Sequence, residues 1–253
     1  MLRLLILASL MSTPVFAGTP IVVNSSDRQT AVVELYTSEG CSSCPRADRW
    51  LAKLVTTPQQ DMDLLALAFH VDYWDYLGWK DRFSNADYTQ RQRVLGSNNQ
   101  QRTIYTPEFF VNGKEVRGSG NILGKIQQTN QQPAPLSLQL TVSRDESELV
   151  IAVHAPTEHN NGETIHHRYL VYENNLSTDV KRGENSGKVL HHQQVVRYMS
   201  PAQSLQNENQ HRIVIDPAWQ AENVGVAVLV TSVGAHRYLQ AVNTPVASLL
   251  AAR

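Results

Sequence analysis

The chain has two cysteines, Cys41 and Cys44, and only two serines separate them. A disulfide between them would close a four-residue ring. Loop-closure entropy gives such a ring about 2 kcal/mol of stabilisation, against about 3 kcal/mol for a 15-residue loop. Short, tight disulfides are also the more reducible kind. The pair is therefore predicted to exchange electrons rather than to stabilise the fold.

The two cysteines lie where a β-rich run, residues 31–36, gives way to helical spacing over residues 47–55. The start of a helix carries unpaired N–H groups and a partial positive charge, which favour a thiolate over a thiol. Cys41 is nearer this start and is predicted to be the attacking nucleophile and the less enclosed of the two. Cys44, one turn into the helix, is predicted to resolve the mixed disulfide.

Glu34 lies inside the β-rich run, ahead of both cysteines. A buried acid at this place could accept the proton of Cys44 during exchange, as a general base. The alternative is that Glu34 faces solvent or pairs with a basic residue, in which case it has no part in the chemistry.

Thr106 and Pro107 open a strand that leads to the hairpin signal Asn112-Gly113. A cis bond before Pro107 would turn the Thr106 backbone toward the cysteines and leave its polar groups free to pair with an extended peptide. Only about 5–6% of such bonds are cis in folded proteins, so the residue types alone favour an ordinary trans proline.

An aromatic segment, residues 70–81, follows a second buried strand at residues 64–69. The carboxyl ends of parallel strands meet at one edge of a sheet, so this segment is expected beside Cys41. Aromatic side chains are frequent at contacts with a partner. One prediction is therefore that this segment forms a groove that binds substrate. The alternative is that it forms a loop that packs on itself. The candidate residues are His70, Tyr73, Trp74, Tyr76 and Trp79. His70 could also tune the thiolate, or be an ordinary packed histidine.

The order of elements in the first half is strand, helix, strand, helix, hairpin, helix. Helical crossovers make the first strands parallel and the two-residue turn makes the last ones antiparallel, which predicts an α/β domain with a mixed sheet and helices on both faces. A polar, proline-ended stretch, residues 127–135, is the predicted boundary. Beyond it, period-two alternation predicts an all-β, sandwich-like domain. The predicted domains are residues 28–130 and 134–248.

Residues 1–17 have the pattern of a removable signal peptide, with Arg3 before an apolar run and Val15-Phe16-Ala17 at the cleavage site. The protein is therefore predicted to be periplasmic or secreted, although an uncut membrane anchor is an alternative. No later apolar run is long enough to span a bilayer, so no transmembrane segment is expected after cleavage. With 22 basic and 23 acidic residues, the charge indicates neither a nucleic acid nor an anionic membrane as a partner.

Four local sequences carry a resemblance to a known family. They are VELYTSEGCSSCP at residues 33–45, HVDYWDYLGWKD at residues 70–81, YTP at residues 105–107 and RGENSG at residues 182–187. Together they resemble a bacterial family of secreted thioredoxin-like proteins of unknown function, within the thioredoxin superfamily. The resemblance implies a thioredoxin-like domain at residues 28–130, a redox-active CxxC motif and a cis Pro107 packed beside the two cysteines.

Three departures from ordinary thioredoxin leave the reduction potential and the partner open. Gly40 rather than an aromatic residue precedes Cys41, the residues between the cysteines are Ser-Ser, and the aromatic segment is longer than a simple connection needs.

These observations predict an extracytoplasmic thiol–disulfide oxidoreductase that uses the Cys41–Cys44 disulfide and no other cofactor. Its partners would be protein thiol or disulfide clients and an unidentified redox partner. One alternative is a protein that binds Cu(I) or another soft metal through both thiolates and His70. The other is a non-catalytic binding module. The pairs His166-His167 and His191-His192 are not expected to chelate a metal, because neighbours on a strand point to opposite faces.

Overall fold

The structure is a computed structural model that describes residues 18–57, 62–156, 163–233 and 237–251. The predicted signal peptide, residues 1–17, lies outside the described residues. The helices are α1 (Cys44–Thr56), α2 (Ala86–Asn98), α3 (Ser119–Asn130) and α4 (Ala247–Ala251). The strands that precede α3 are β1 (Ile21–Asn24), β2 (Ala31–Thr37), β3 (Leu64–His70), β4 (Glu108–Val111) and β5 (Lys114–Glu115).

Ten strands follow α3 among the described residues. They are β6 (Gln139–Asp145), β7 (Glu148–His154), β8 (Ile165–Glu173), β9 (Leu176–Asp179), β10 (Val189–His192), β11 (Val195–Met199), β12 (Gln203–Ser204), β13 (Glu208–Val214), β14 (Val224–Ser232) and β15 (Arg237–Pro245). No helix among the described residues is long and apolar enough to cross a membrane.

A mixed sheet forms the centre of the first half of the chain. Strands β2 and β3 are parallel, whereas β4 pairs antiparallel with β2 and β5 antiparallel with β4. Alternate residues of β2 point to opposite faces. Val33 and Leu35 pack with residues of α1 and α3, and Val32 and Tyr36 pack on the other face with residues of α2. Helices therefore cover both faces of this part of the sheet.

The same sheet continues into the second half of the chain. Strand β11 pairs with β3, and the amide of Ala68 donates to the carbonyl of Gln194 at 2.8 Å. The strand order is β15-β14-β8-β11-β3-β2-β4-β5, with β12 attached to β8. Strands of the two predicted domains thus share one sheet, because β11 covers the edge that β3 would otherwise leave unpaired. Local composition gives no signal of such a distant pairing.

A second, four-stranded antiparallel sheet, in the order β1-β6-β7-β13, packs on the C-terminal part of the large sheet. Its residues Leu140 and Ile151 share a buried core with Val171 and Val228 of the large sheet. Strand β1 lies ahead of the predicted domain start at residue 28, yet it pairs with β6. The second half is thus a two-sheet arrangement to which the N-terminal segment contributes a strand.

Strands β9 and β10 form a separate two-stranded hairpin. Residues 181–188, in the connection between these strands, form hydrogen bonds to Cys41 and Ser42. We call residues 181–188 the cover loop.

Candidate redox site

Cys41 and Cys44 form a disulfide at the carboxyl end of β2, with their Cα atoms 5.4 Å apart. Helix α1 begins at Cys44, with Ser43 as its N-cap and Pro45 in the first turn. Proline is tolerated there because the first amides of a helix have no partner within the helix. Cys41 therefore precedes the helix. Cys44 is the first residue of the helix, whereas the sequence pattern predicts that it lies one turn further inside.

Both cysteines are completely buried, each with 0% of its surface exposed. The prediction that Cys41 is the less enclosed sulfur is therefore wrong for this state of the molecule. The cover loop lies against this turn and hydrogen-bonds to its backbone. The side-chain amide of Asn185 donates to the carbonyls of Glu39 and Cys41, at 2.9 Å each. Glu184 accepts a hydrogen bond from the amide of Ser42 at 3.0 Å.

Pro107 lies across a groove from the disulfide ring. The Thr106–Pro107 peptide bond is cis, as the resemblance implies. Ser43, which belongs to the ring, and Pro107 both line this groove of about 690 Å³. Its apolar walls include Trp50 and Phe109, whose rings meet edge to face at 5.2 Å. The structure therefore brings Ser43 of the CxxC motif and the cis proline to one open surface.

The residues before Pro107 are held in place from α2. The amide of Gln92 donates to the carbonyl of Tyr105 at 2.7 Å and to Glu108 at 2.6 Å. Gln92 is completely buried. It therefore supports the turn that carries Thr106, and Thr106 itself is partly buried in that turn.

Glu34 points away from α1. Its neighbours Val33 and Leu35 face α1, so alternation along β2 places Glu34 on the opposite face of the sheet. There it forms an ion pair with Arg91, with Oε1 and Nη2 2.6 Å apart, and accepts hydrogen bonds from the hydroxyls of Tyr36 and Tyr238. Burial alone would raise the pKa of Glu34, but the charge of Arg91 and these hydrogen bonds lower it. Its position matches the ion-pair alternative and does not support the predicted role as proton acceptor for Cys44.

A different buried acid lies on the helix of Cys44. Asp48 is four residues further along α1, on the same face of the helix as Cys44. It accepts a hydrogen bond from the hydroxyl of Thr37 at 2.8 Å. Burial raises the pKa of Asp48, and the nearby imidazoles of His192 and His70 oppose this effect only in part.

Two buried histidines continue this cluster of titratable side chains. His70 Nδ1 lies 2.6 Å from Asp81 Oδ2, and the rings of His70 and His192 meet edge to face at 4.9 Å. His192 Nε2 is 3.3 Å from Glu39 Oε1, and its Nδ1 is 3.9 Å from Asp48 Oδ2. Burial lowers the pKa of His70, but the charge of Asp81 outweighs it and the net pKa is raised. Because His70 is completely buried, its predicted contact with a substrate is wrong for this state.

The aromatic segment packs mainly against the residues that precede Cys41. A side chain at Gly40 would approach the Cβ atom of Trp74 to 3.1 Å, which explains the absence of an aromatic residue there. The indole of Trp79 donates to Glu39 at 2.8 Å, and the hydroxyl of Tyr73 donates to Gln92 at 3.2 Å. Only Tyr76, with 81% of its surface exposed, projects freely into solvent.

None of the four predicted aromatic residues lines the groove with Pro107. The self-packed alternative therefore describes most of this segment, and the predicted groove of Tyr73, Trp74, Tyr76 and Trp79 does not form. Within the described ranges, no group of three or more His, Cys, Asp or Glu side chains has an arrangement that could hold a metal ion. The soft-metal alternative with His70 thus gains no support from this geometry.

These features define a mixed α/β protein with a CxxC disulfide at the start of a helix, opposite a cis proline. A family model described as "Protein of unknown function (DUF1223)" matches residues 32–231, and the chain belongs to this family. No curated protein matches the chain.

Two solved structures are similar to this chain. One is the crystal structure of an Agrobacterium tumefaciens protein, at 23% identity and a TM-score of 0.61, covering 87% of this chain and 95% of the other. The other is HBP35 of Porphyromonas gingivalis, at 16% identity and a TM-score of 0.66, covering 88% of this chain and 76% of the other. At these identities the likeness concerns the fold alone.

Proposed function

We propose that the protein is a thioredoxin-like thiol–disulfide oxidoreductase that acts outside the cytoplasm through Cys41 and Cys44. The observation that carries the proposal is the shared groove, in which Ser43 of the disulfide ring faces the cis Pro107. An extended client peptide in this groove would have its cysteine beside the ring and an apolar side chain near Trp50 and Phe109.

When a client disulfide is reduced, the Cys41 thiolate attacks one client sulfur and forms the mixed disulfide, while the client S–S bond breaks and its electron pair leaves on the other client sulfur, which takes a proton. Cys44 then loses its proton and attacks Cys41 Sγ, so that the Cys41–Cys44 bond forms and the client thiolate is expelled. In the reverse direction a client thiolate attacks Cys41 Sγ, the Cys41–Cys44 bond breaks and the Cys44 thiolate takes a proton. A second client thiolate then attacks the client sulfur of the mixed disulfide and releases Cys41 as a thiolate. The same atoms serve both directions, and the reduction potentials of the two couples set the net flow.

Asp48 is the acid–base partner of Cys44 in this proposal, in place of Glu34. Side chains four residues apart lie on one helix face, and each leans toward the helix N-terminus, so Asp48 leans toward Cys44. Its raised pKa lets it hold a proton that a carboxyl group in water would release. Glu34 cannot act as this acid–base partner, because it forms an ion pair with Arg91 on the opposite face of the sheet.

Trapping of clients tests the function directly. In Cys44→Ser no second thiol can resolve the mixed disulfide between Cys41 and a client. Mixed disulfides should therefore accumulate in the extracytoplasmic fraction and release their clients on reduction. Cys41→Ser is the matched control and should trap nothing. Failure of Cys44→Ser to collect any client, with the variant folded and exported, would overturn the proposal.

Export is a separate part of the proposal. It rests on the signal-peptide pattern at residues 1–17 and on the disulfide, since disulfides persist in oxidising compartments. Cell fractionation with N-terminal sequencing of the mature protein tests it. A mature chain that begins at Gly18 and is found outside the cytoplasm agrees with export, and a full-length cytoplasmic chain contradicts it.

The burial of both sulfur atoms favours a second candidate, a non-catalytic module whose disulfide stays closed. The two functions differ in access to Cys41. A catalytic protein requires the cover loop to move, whereas a binding module does not. Reduction of the native disulfide by a folded thiol protein at neutral pH would exclude the closed module.

A further inference from the structure

The cover loop meets the cysteine motif through polar contacts that come from one small region. Asn185 is completely buried although its neighbours in the loop are exposed. Its amide nitrogen donates to the carbonyls of Glu39 and Cys41, and its amide oxygen accepts from the ammonium group of Lys188 at 2.9 Å. One side chain thus joins the cover loop to the backbone at Glu39 and at Cys41.

A second contact lies on the other side of Cys41. The carboxylate of Glu184 accepts from the amide of Ser42, one of the amides ahead of α1. Hydrogen bonding from the side chain of Ser42, and then from its amide, lowers the pKa of Glu184. Asn185 and Glu184 therefore hold the backbone on both sides of the sulfur that is proposed to attack.

The cover loop keeps its own shape without the motif. The amide of Val180 donates to the carbonyl of Lys188 at 2.9 Å, and the amide of Gly187 donates to the carbonyl of Val180 at 2.8 Å. Ser186 donates its amide to the carbonyl of Gly183 at 3.1 Å. These bonds lie within the loop or at its base, so they do not depend on the cysteines.

Movement of the cover loop would expose no apolar side chain of its own. Its sequence is KRGENSGK, and the buried residue at its base, Val180, lies just outside it. Some loops make few apolar contacts and have hydrogen bonds that water can replace. The free energy needed to open such loops locally is low compared with that of the core. The described contact with the aromatic segment is made by Gly183, whose lack of a side chain lets it lie against Trp79.

We propose that the cover loop gates the disulfide and that Asn185 is its latch, with Glu184 as a weaker second contact. In the closed state these residues position the backbone of Cys41 and Ser42 and keep thiols away from Cys41 Sγ. In the open state Cys41 Sγ becomes accessible beside the groove. This inference rests on the proposed exchange function, and it assigns control of access to residues in the second half of the chain.

The first test compares rates of disulfide reduction by dithiothreitol in wild type and Asn185→Ala. Loss of two hydrogen bonds in the closed state should raise the rate about tenfold or more. Ser186→Ala is the matched control, because its hydroxyl bonds within the loop to Lys181 and not to the motif. It should react at the wild-type rate. Equal rates for wild type, Ser186→Ala and a folded Asn185→Ala would overturn the latch.

Two measurements keep the test decisive if Asn185→Ala does not fold. Glu184→Ala changes an exposed side chain and should raise the reduction rate several-fold. Hydrogen exchange of the Ser42 amide in wild type should proceed by local opening, faster than exchange in β2. An unchanged rate in Glu184→Ala together with Ser42 protection equal to that of β2 would overturn the gate.

The gate and the exchange function fail in different ways. Dithiothreitol attacks a disulfide whatever its biological role. Faster reduction of Asn185→Ala with no clients trapped by Cys44→Ser would support the gate and reject the oxidoreductase. Clients trapped by Cys44→Ser, with no acceleration in Asn185→Ala or Glu184→Ala, would support the oxidoreductase and reject the gate.

Discussion

Asp48 lies one helical turn beyond Cys44 on α1, and both side chains are buried. This relationship places a buried carboxyl group on the same face of α1 as the buried sulfur, the position from which we propose that it exchanges a proton with Cys44. It also distinguishes two carboxyl groups by position. Asp48 is held near Cys44 by Thr37, whereas Glu34 is held on the opposite face by Arg91.

Asp48→Asn should slow exchange while leaving the fold intact. The pKa of Asp48 is raised in the folded state, so as pH rises from its ordinary value near 4 the unfolded chain loses this proton first. The folded state then binds more protons, and this group makes stability fall as pH rises toward its folded pKa. Asp48→Asn should therefore be more stable than wild type at neutral pH.

Denaturant unfolding from pH 4 to pH 8 measures this effect, and single-turnover exchange at the same pH values measures the proton transfer. Asp27→Asn, at an exposed acid, is the matched control and should change neither. A variant that is more stable but exchanges with the wild-type pH profile would show that Asp48 is not the acid–base partner of Cys44.

Arg91→Met should destabilise the protein without changing its chemistry. It leaves Glu34 as a buried, unpaired carboxylate, and breaking a buried ion pair in this way costs about 3–5 kcal/mol. Denaturant titration gives the loss, and exchange is measured on the fraction that is folded. If folded Glu34→Gln instead exchanged much more slowly than wild type, the result would support the predicted role of Glu34 as proton acceptor for Cys44.

Asp81→Asn should lower the pKa of His70. Burial is the largest influence on this imidazole and acts to lower its pKa, and the Asp81 carboxylate at 2.6 Å overcomes it. A histidine with a raised folded pKa stabilises the fold fully below its ordinary value near 6.5, and this contribution is lost as pH rises through the folded pKa. NMR titration of the His70 ring protons follows the change. An unaltered His70 titration in Asp81→Asn would contradict the assigned cause.

Trp50→Ala should weaken client binding and spare the reaction with small thiols. Trp50 lines the groove beside Pro107, and removal of a buried aromatic contact at an interface costs about 2 kcal/mol or more. The KM for a peptide disulfide should therefore rise at least about tenfold, with little change in the reduction rate by dithiothreitol. Tyr76→Ala is the control, because Tyr76 is exposed but lies outside the groove. Equal KM effects in both variants would place the client elsewhere.

Local sequence patterns were sufficient for several elements near the site. The strands predicted at residues 31–36 and 64–69 span residues 31–37 and 64–70. The Asn112-Gly113 turn has positive φ at both residues, 46° and 76°, as a two-residue hairpin turn of this kind requires. Short-range rules succeed here because the deciding interactions lie within a few residues.

The remaining parts of the site depend on distant contacts. Asn185 follows Cys41 by 144 residues, and no local pattern indicates that its amide reaches the motif. The sequence pattern gives His192 no role, because its neighbour His191 points to the opposite face of a strand, yet His192 lies beside Glu39 and Asp48 once β10 packs beside α1. Asp48, by contrast, stands four residues after Cys44 in the sequence itself. Knowing that this face of α1 is buried is enough to select Asp48 as a candidate acid–base residue.

The reduction potential of the Cys41–Cys44 disulfide, measured against a glutathione or dithiothreitol couple in the full mature chain, tests the central claim most directly. Our account predicts a potential between about −120 and −270 mV, the range of disulfides that turn over in exchange reactions. A potential below about −300 mV, typical of structural disulfides, would contradict it.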